Sequence, residues 1–377
     1  MSIRITSQIQ RNVLKYPQII MMSGKIGSMN TKIIQIDENN IDKDAIKEAG
    51  EILKKGGLVA FPTETVYGLG GDALNAASSA KIYEAKGRPS DNPLIVHISH
   101  VEALSRIVKK VPEEAYMLAD KYWPGPLTMI FNKSEEVPMA TTGGLKTVAV
   151  RMPSHKIARA LIDAAGGYIA APSANRSGRP SPTVARYVIE DLMGRVEMII
   201  DGGEVNIGLE STIIDLTGER PMILRPGFVT EKMLESVIGK VEVDRTVLDD
   251  RSGQAPKAPG MKYRHYAPKG ELTVVEGEAD AVVDYINERL TRLGEMGIKA
   301  GVVATDETAV KYLEGDVKSA GRREDEEAIA RHLFKILREF DDDKVQVIFA
   351  EAFPAEGMGQ AIMNRLLKAA GYRTIQV

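Results

Sequence analysis

Four cations stand out by where they fall: Lys86 and Arg88 in "AKGRPSDNPLIVH", Arg151 at the end of "TVAVRMP", and Arg225 in "ILRPG". Hydroxyls surround them (Thr63, Thr65, Thr147, Ser173, Ser181, Ser211), with the amides Asn92 and Asn175, in these stretches and in "FPTETVYGL", "WPGPLT", "APSANRSGRPSPT" and "GLESTIIDL". Arg clamps a carboxylate or phosphate through two parallel hydrogen bonds, and Lys serves as a mobile point charge. A set rich in cations and hydroxyls but poor in acids suits anions, phosphate and carboxylate above all. Chemistry in such a place comes from positioning and charge stabilisation. No nucleophile–base pair, carboxylate dyad, Walker loop or metal triad is legible. Each stretch alone reads as a solvated loop, Glu64 and Glu210 as helix caps or arginine partners, and His97 as a structural histidine. With "GLESTIIDL…ILRPG" taken as one, six such stretches in order, each at a strand end, read as a site.

The elements that must hold these residues follow from periodicity. "TKIIQI", "GLVAFP", "PLIVHI", "LTMIF", "TVAVRM" and "YIAAPS" are predicted strands. Helices are expected over Asp42–Lys55, closing at Gly56-Gly57, over Ala76–Ala85, through most of Val101–Trp123, and over His155–Ala165. "MIIDGG" and "STIIDLT" read as strands joined by a tight Gly-rich loop. Beyond an aperiodic stretch, "LTVVEG", a helix over Asp280–Leu293, "KAGVVAT", a helix over Glu324–Phe340, "VQVIFA" and a helix over Gly359–Ala370 alternate strand and helix. That is the pattern of a small doubly wound sheet. It carries no G-x-G-x-x-G after a strand, and "EGMGQAIMNRLLKAAG" is either an anion-binding helix start or plain packing. The expected organisation is a flexible extension at 1–30, an α/β domain at 31–242, a linker at 243–270 and a smaller α/β domain at 271–377. Met21, Met22 and Met29 are alternative starts for the extension.

The chain has 377 residues, 44% of them hydrophobic and 27% charged, which calls for two domains. Its 49 Lys and Arg nearly balance its 52 Asp and Glu, so no global field draws it to nucleic acid or membrane. With no cysteine, disulfides, thiolate nucleophiles and cysteine metal sites are excluded. No apolar run approaches the roughly 20 residues that span a bilayer, and a cytoplasmic location is expected.

In order and spacing, "FPTETVYGLG", "KGRPSDNPLIVHI", "WPGPLT", "VAVRMP", "APSANRSGRPSPT" and "ESTIIDL" resemble the YrdC-like superfamily. The linker "APGMKYRHYAP" and the α/β tail are similar to the two-domain branch of the L-threonylcarbamoyladenylate synthase family. The resemblance implies a twisted, open, mixed sheet with helices for the first domain and a Rossmann-like second domain. It also implies condensation of L-threonine, bicarbonate or CO2 and ATP to threonylcarbamoyl-AMP and pyrophosphate, with Mg²⁺ held through the ATP phosphates and no metal site of the protein's own. A separate transferase would then place the group on the adenosine beside the anticodon of tRNA.

Residue by residue, the resemblance assigns Thr65, His97, Arg151, Ala171 and Ser211 to threonine, with Arg151 on its carboxylate. Ala171 stands where relatives often carry a hydroxyl, which leaves a backbone contact there. ATP is assigned Lys86, Arg88, Asn92, Thr147, Ser173, Asn175, Ser181 and Arg225, with Lys86 and Arg88 nearest the chemistry. Tyr263 or Tyr266 would lie over the nucleotide as a lid that excludes water. The base for the threonine amine is His97 or a water. The rival reading is a binder of tRNA or double-stranded RNA, or a ribosome-associated protein, using Lys81, Lys86, Arg88, Arg176 and Arg179 as a cationic face. A carbamoyl-phosphate-dependent transferase is excluded by the missing zinc-finger cysteines.

Overall fold

The computed structural model describes residues 29–244 and 265–377, so Tyr263 and most of the predicted linker lie outside the described residues. The first domain is built on eleven strands: β1 Lys32–Gln35, β2 Val59–Phe61, β3 Gly68–Asp72, β4 Ile95–His97, β5 Leu127–Asn132 and β6 Thr147–Arg151, then β7 Ile169–Ala170, β8 Met198–Asp201, β9 Thr212–Asp215, β10 Met222–Arg225 and β11 Glu242–Val243. Their order in the sheet is β1-β8-β2-β3-β7-β4-β6-β5-β9-β10-β11. Pairings are mixed: β4 with β6 and β5 with β9 run parallel, while β2 with β3 and β5 with β6 run antiparallel. The expected open mixed sheet is therefore present.

Local chemistry sets the helices as expected. Asp42 caps helix Lys43–Lys54 by accepting from the N–H groups of Asp44 and Ala45, and Gly56 leaves it at φ 79°. Helix Ala76–Lys86 ends at Gly87, which adopts φ 61°, a left-handed conformation that other residues reach only with strain. The segment Val101–Trp123 is broken, with a short turn at Leu104–Ile107 and a helix at Glu113–Tyr122 that starts after Pro112.

"MIIDGG" and "STIIDLT" are strands, as expected, but not sheet neighbours: β8 stands second from one edge of the sheet and β9 third from the other. The glycine-rich run after "TETVY", to which the sequence pattern assigns no element, is strand β3. A Cβ on Gly70 would sit 2.8 Å from the Ile169 side chain and 2.9 Å from the Phe61 ring, so glycine lets the neighbouring strands close on each other.

The second domain has five parallel strands, β12 Glu271–Glu276, β13 Ala300–Ala304, β14 Asp316–Ser319, β15 Val347–Glu351 and β16 Thr374–Gln376. They lie in the order β14-β13-β15-β12-β16. Helix Ala279–Glu295 packs with Val275, Val302 and Phe349 in one core. Helices Glu326–Asp342 and Gly359–Ala370 pack with Leu272, Val274 and Ile348 in another, the two cores of a doubly wound sheet. β14 and β16, both sheet edges with exposed or half-buried residues, lack the apolar alternation that would reveal them.

Candidate active site

One chamber of about 750 Å³, counting its open mouth, gathers most of the chemistry-bearing residues. Its threonine-assigned end is set by strand termini. Arg151 closes β6 beside His97, which closes β4 in the adjacent parallel register. The Arg151 guanidinium donates from Nη1 to Thr65 Oγ1 at 2.8 Å, and its Nη2 pairs with Glu64 Oε1 at 2.7 Å, all buried. Thr65 is held by a hydroxyl turn: Thr63 Oγ1 accepts from the backbone N–H of Thr65 and Val66 and lies 2.9 Å from Thr65 Oγ1. Ala171 lines the wall, its N–H given to Ile95 O. Ser211 also lines it, with its hydroxyl 2.7 Å from that of Thr128. Burial, then the charge of Arg151, pushes the His97 imidazole down to about 3, so it stays neutral.

The cationic end is carried by a helix terminus. Lys86 is the last residue of helix Ala76–Lys86, and the turn through Gly87 delivers Arg88 next to it. Lys86 is buried and gives its ammonium to Ser173 O at 2.5 Å and to Asn175 O. Burial, then neighbouring Arg88, pushes that ammonium well below the usual lysine range. Arg88 donates from Nη2 to Asn92 Oδ1 at 2.6 Å and to Pro93 O at 3.1 Å. Arg225, at the end of β10, donates to Ser211 O at 2.9 Å and Ser211 Oγ at 3.2 Å.

Asn92 and Ser181 are thus buried supports rather than chamber lining. Asn92 aims Arg88, while Ser181 donates to Glu210 Oε1 at 2.6 Å. Ser173 and Asn175 are brought in, joined by a hydrogen bond of 2.5 Å from Ser173 Oγ to Asn175 Oδ1. Thr147 is not brought in. It begins β6 opposite Asn132, four residues or about 13 Å of strand before Arg151.

Tyr266 covers one side, buried at φ 64°. It stacks on Phe334 of the second domain with ring centroids 5.0 Å apart. Sequence reasoning missed what the second domain adds. Arg338 and Arg365 are the largest fully buried side chains among the described residues. Arg338 reaches Asp191 Oδ2 at 2.6 Å and Pro180 O, and Arg365 reaches Glu210 Oε2 at 3.0 Å. Their signal is an arginine set in the apolar stripe of a helix, Arg365 between Ile362 and Leu366. At the start of that helix Glu326 Oε2 accepts from Met358 N, so a carboxylate of the same domain already engages the N–H group that "EGMGQ" presents there.

Residues 51–227 match a sequence family described as Telomere recombination, and residues 229–371 match the threonylcarbamoyl-AMP synthase C-terminal domain. A Threonylcarbamoyl-AMP synthase of Pyrococcus abyssi is 51% identical over 350 residues, covering 92% of this chain and 100% of that one. Its namesake from Bacillus subtilis is 47% identical over 341 residues, covering 90% and 97%. The crystal structure of P. abyssi Sua5 complexed with L-threonine superposes with a TM-score of 0.87 at 51% identity, covering 92% of this chain and 100% of that one.

Proposed function

This chain belongs to the threonylcarbamoyl-AMP synthase family, and from that premise we propose how its chamber carries out the synthesis. L-threonine, bicarbonate or CO2 and ATP give threonylcarbamoyl-AMP and pyrophosphate, a nucleotidyl transfer. The observation that supports the reading most is the convergence, in a single cavity, of a carboxylate-binding fork (Arg151 with Thr65) and a phosphate-binding group (Lys86, Arg88, Arg225).

Arg151 clamps the threonine carboxylate while Thr65, Ser211 and His97 bond its remaining polar atoms. The amine nitrogen bonds to the carbon of CO2, and the proton it releases goes to water. A histidine held near pKa 3 does not keep a proton at neutral pH, so His97 serves as a hydrogen-bonding partner and not as the base. A carbamate oxygen then attacks the α-phosphorus of ATP as the bond to the bridging oxygen breaks and pyrophosphate leaves. Lys86, Arg88 and Arg225 face the charge that grows on the phosphates. Ser173 and Asn175 complete the nucleotide end, and Tyr266 shields the acyl-adenylate from water.

Mg²⁺ arrives on the triphosphate as part of the substrate. The carboxylate of Glu210 on the chamber wall is engaged by Ser181 and Arg365 and does not fit a protein-held ion, so no step here runs through one. The product passes to a separate transferase that modifies the adenosine beside the anticodon of tRNA. Among the described residues, no helix is long and apolar enough to cross a membrane. The RNA-binding reading loses three of its five cations. Lys86 is buried, Lys81 is committed to Gly56 O at 2.7 Å, and Arg179 is ion-paired with Glu190 and Asp341.

Pyrophosphate release from ATP in Mg²⁺ buffer tests the whole reading. Release should need both L-threonine and bicarbonate and be much slower with serine. Release indifferent to threonine would remove it.

A further inference from the structure

Glu210 is the one carboxylate among the described residues that line the chamber. An unneutralised carboxylate there would face the polyphosphate of the substrate and repel it. Its partner comes from the other domain. Arg365, on helix Gly359–Ala370, has no exposed surface and donates from Nε to Glu210 Oε2 at 3.0 Å. The same guanidinium is fixed by Glu210 O at 3.2 Å, Pro226 O at 2.8 Å and Asn364 Oδ1 at 3.1 Å. It therefore bridges the residue before Ser211 and the residue after Arg225. Burial alone would push the Glu210 carboxyl up, yet Arg365, with Arg225, outweighs burial and holds it below the usual range.

We propose that Arg365 is a positioning residue for ATP: by cancelling the charge of Glu210 from the second domain, it leaves Lys86, Arg88 and Arg225 as the net field of the nucleotide end. The inference rests on the reading of that end as the ATP subsite. A plain interdomain tie would have the same bonds, so the test has to separate charge from glue.

The full-length protein is compared as wild type, R365M, R365K and the doubly neutral R365M/E210Q, reading KM for ATP, kcat and direct binding of Mg·ATP. R365M should raise KM for ATP tenfold or more with a smaller change in kcat. R365K should lose less. R365M/E210Q, which has lost the tie but carries no stranded charge, should recover most of the affinity. An unchanged KM for ATP in R365M overturns the proposal, and so does a double variant as impaired as the single one. Where R365M does not fold, the double variant decides alone: Mg·ATP affinity within about threefold of wild type supports the charge role, and a tenfold loss overturns it. Wild type that binds no Mg·ATP would instead remove the reading of the subsite itself.

Discussion

Two groups of cations, some on the chamber wall and some at the domain junction, are satisfied in opposite ways. Lys86 and Arg88 donate to carbonyl and amide oxygens of the 173–175 and 92–93 segments, which bear no net charge. Arg338 and Arg365 donate to the carboxylates of Asp191 and Glu210. A cation held by neutral dipoles is oriented with no partner charge to cancel its own, whereas one held by a carboxylate forms a neutral pair with it. Arg151 falls between the groups, paired with Glu64 and still hydrogen-bonded to a threonine hydroxyl of the wall. That arrangement suits a clamp that exchanges or shares one carboxylate for another.

The sharpest break of the comparison is Arg88→Ala. Removing a wall cation should cost catalysis and little else, with pyrophosphate release falling roughly 10²- to 10³-fold, the scale of losing one preorganised transition-state donor. The thermal midpoint should move by no more than a few degrees, because Arg88 is only half-buried and lines the open chamber with Pro93, where water can take its place. Near-normal turnover would put Arg88 in the structural class.

Arg338→Met is the mirror image. It leaves Asp191, whose side chain is fully buried, with Arg179 as its remaining ion-pair partner beside the Arg176 N–H. Breaking a buried pair from one side costs about 3 kcal/mol or more, read as a lower denaturation midpoint with KM values near wild type. Adding Asp191→Asn should return part of the stability, as neutral replacement of both partners tends to. A KM for ATP that rises while stability holds would mean the junction is not merely structural there.

These two classes were unequally legible in the sequence. The wall cations follow glycine, proline and strand-end signals, so Lys86, Arg88, Arg151 and Arg225 were readable in place, as was the mixed sheet that holds them. The junction was not. Nothing local tells that Arg365 will meet Glu210 across 155 residues, since such a contact is fixed only when two domains dock. Thr147 and Asn92 show the limit on the wall itself. A motif groups residues by sequence neighbourhood, and in a strand or a tight turn a neighbour can face away or serve as a brace. β3 escaped notice because its glycines serve the close approach of flanking strands and carry no side-chain pattern.

Acid sharpens the contrast further. His97 sits at about 3 in the folded chain against an ordinary 6.5, so the unfolded state takes up the proton first. Its contribution is fully present above pH 6.5 and is lost as pH falls toward 3, at up to about 1.4 kcal/mol per pH unit inside that window. The stability difference between wild type and His97→Asn should shift in that sense between pH 7 and 4.5. A difference independent of pH would show that the imidazole is not held neutral beside Arg151.

The smallest effect tests whether the second domain also shapes the cover. Tyr266 is held at a left-handed backbone angle and stacks on Phe334 at an interplanar angle of 28°. Phe334→Leu keeps an apolar side chain in the core and removes the facing ring, a loss of about 0.5–1.5 kcal/mol of aromatic pairing. If Tyr266 shields the acyl-adenylate, that loosening should raise the ratio of AMP to threonylcarbamoyl-AMP formed per pyrophosphate by two- to tenfold, since water reaches the intermediate more often. Total pyrophosphate release should change less, because the cations and the threonine clamp lie on other elements. An unchanged product ratio would assign the ring pair to docking alone and leave Glu210 and Arg365 as the route by which the second domain acts on the chamber.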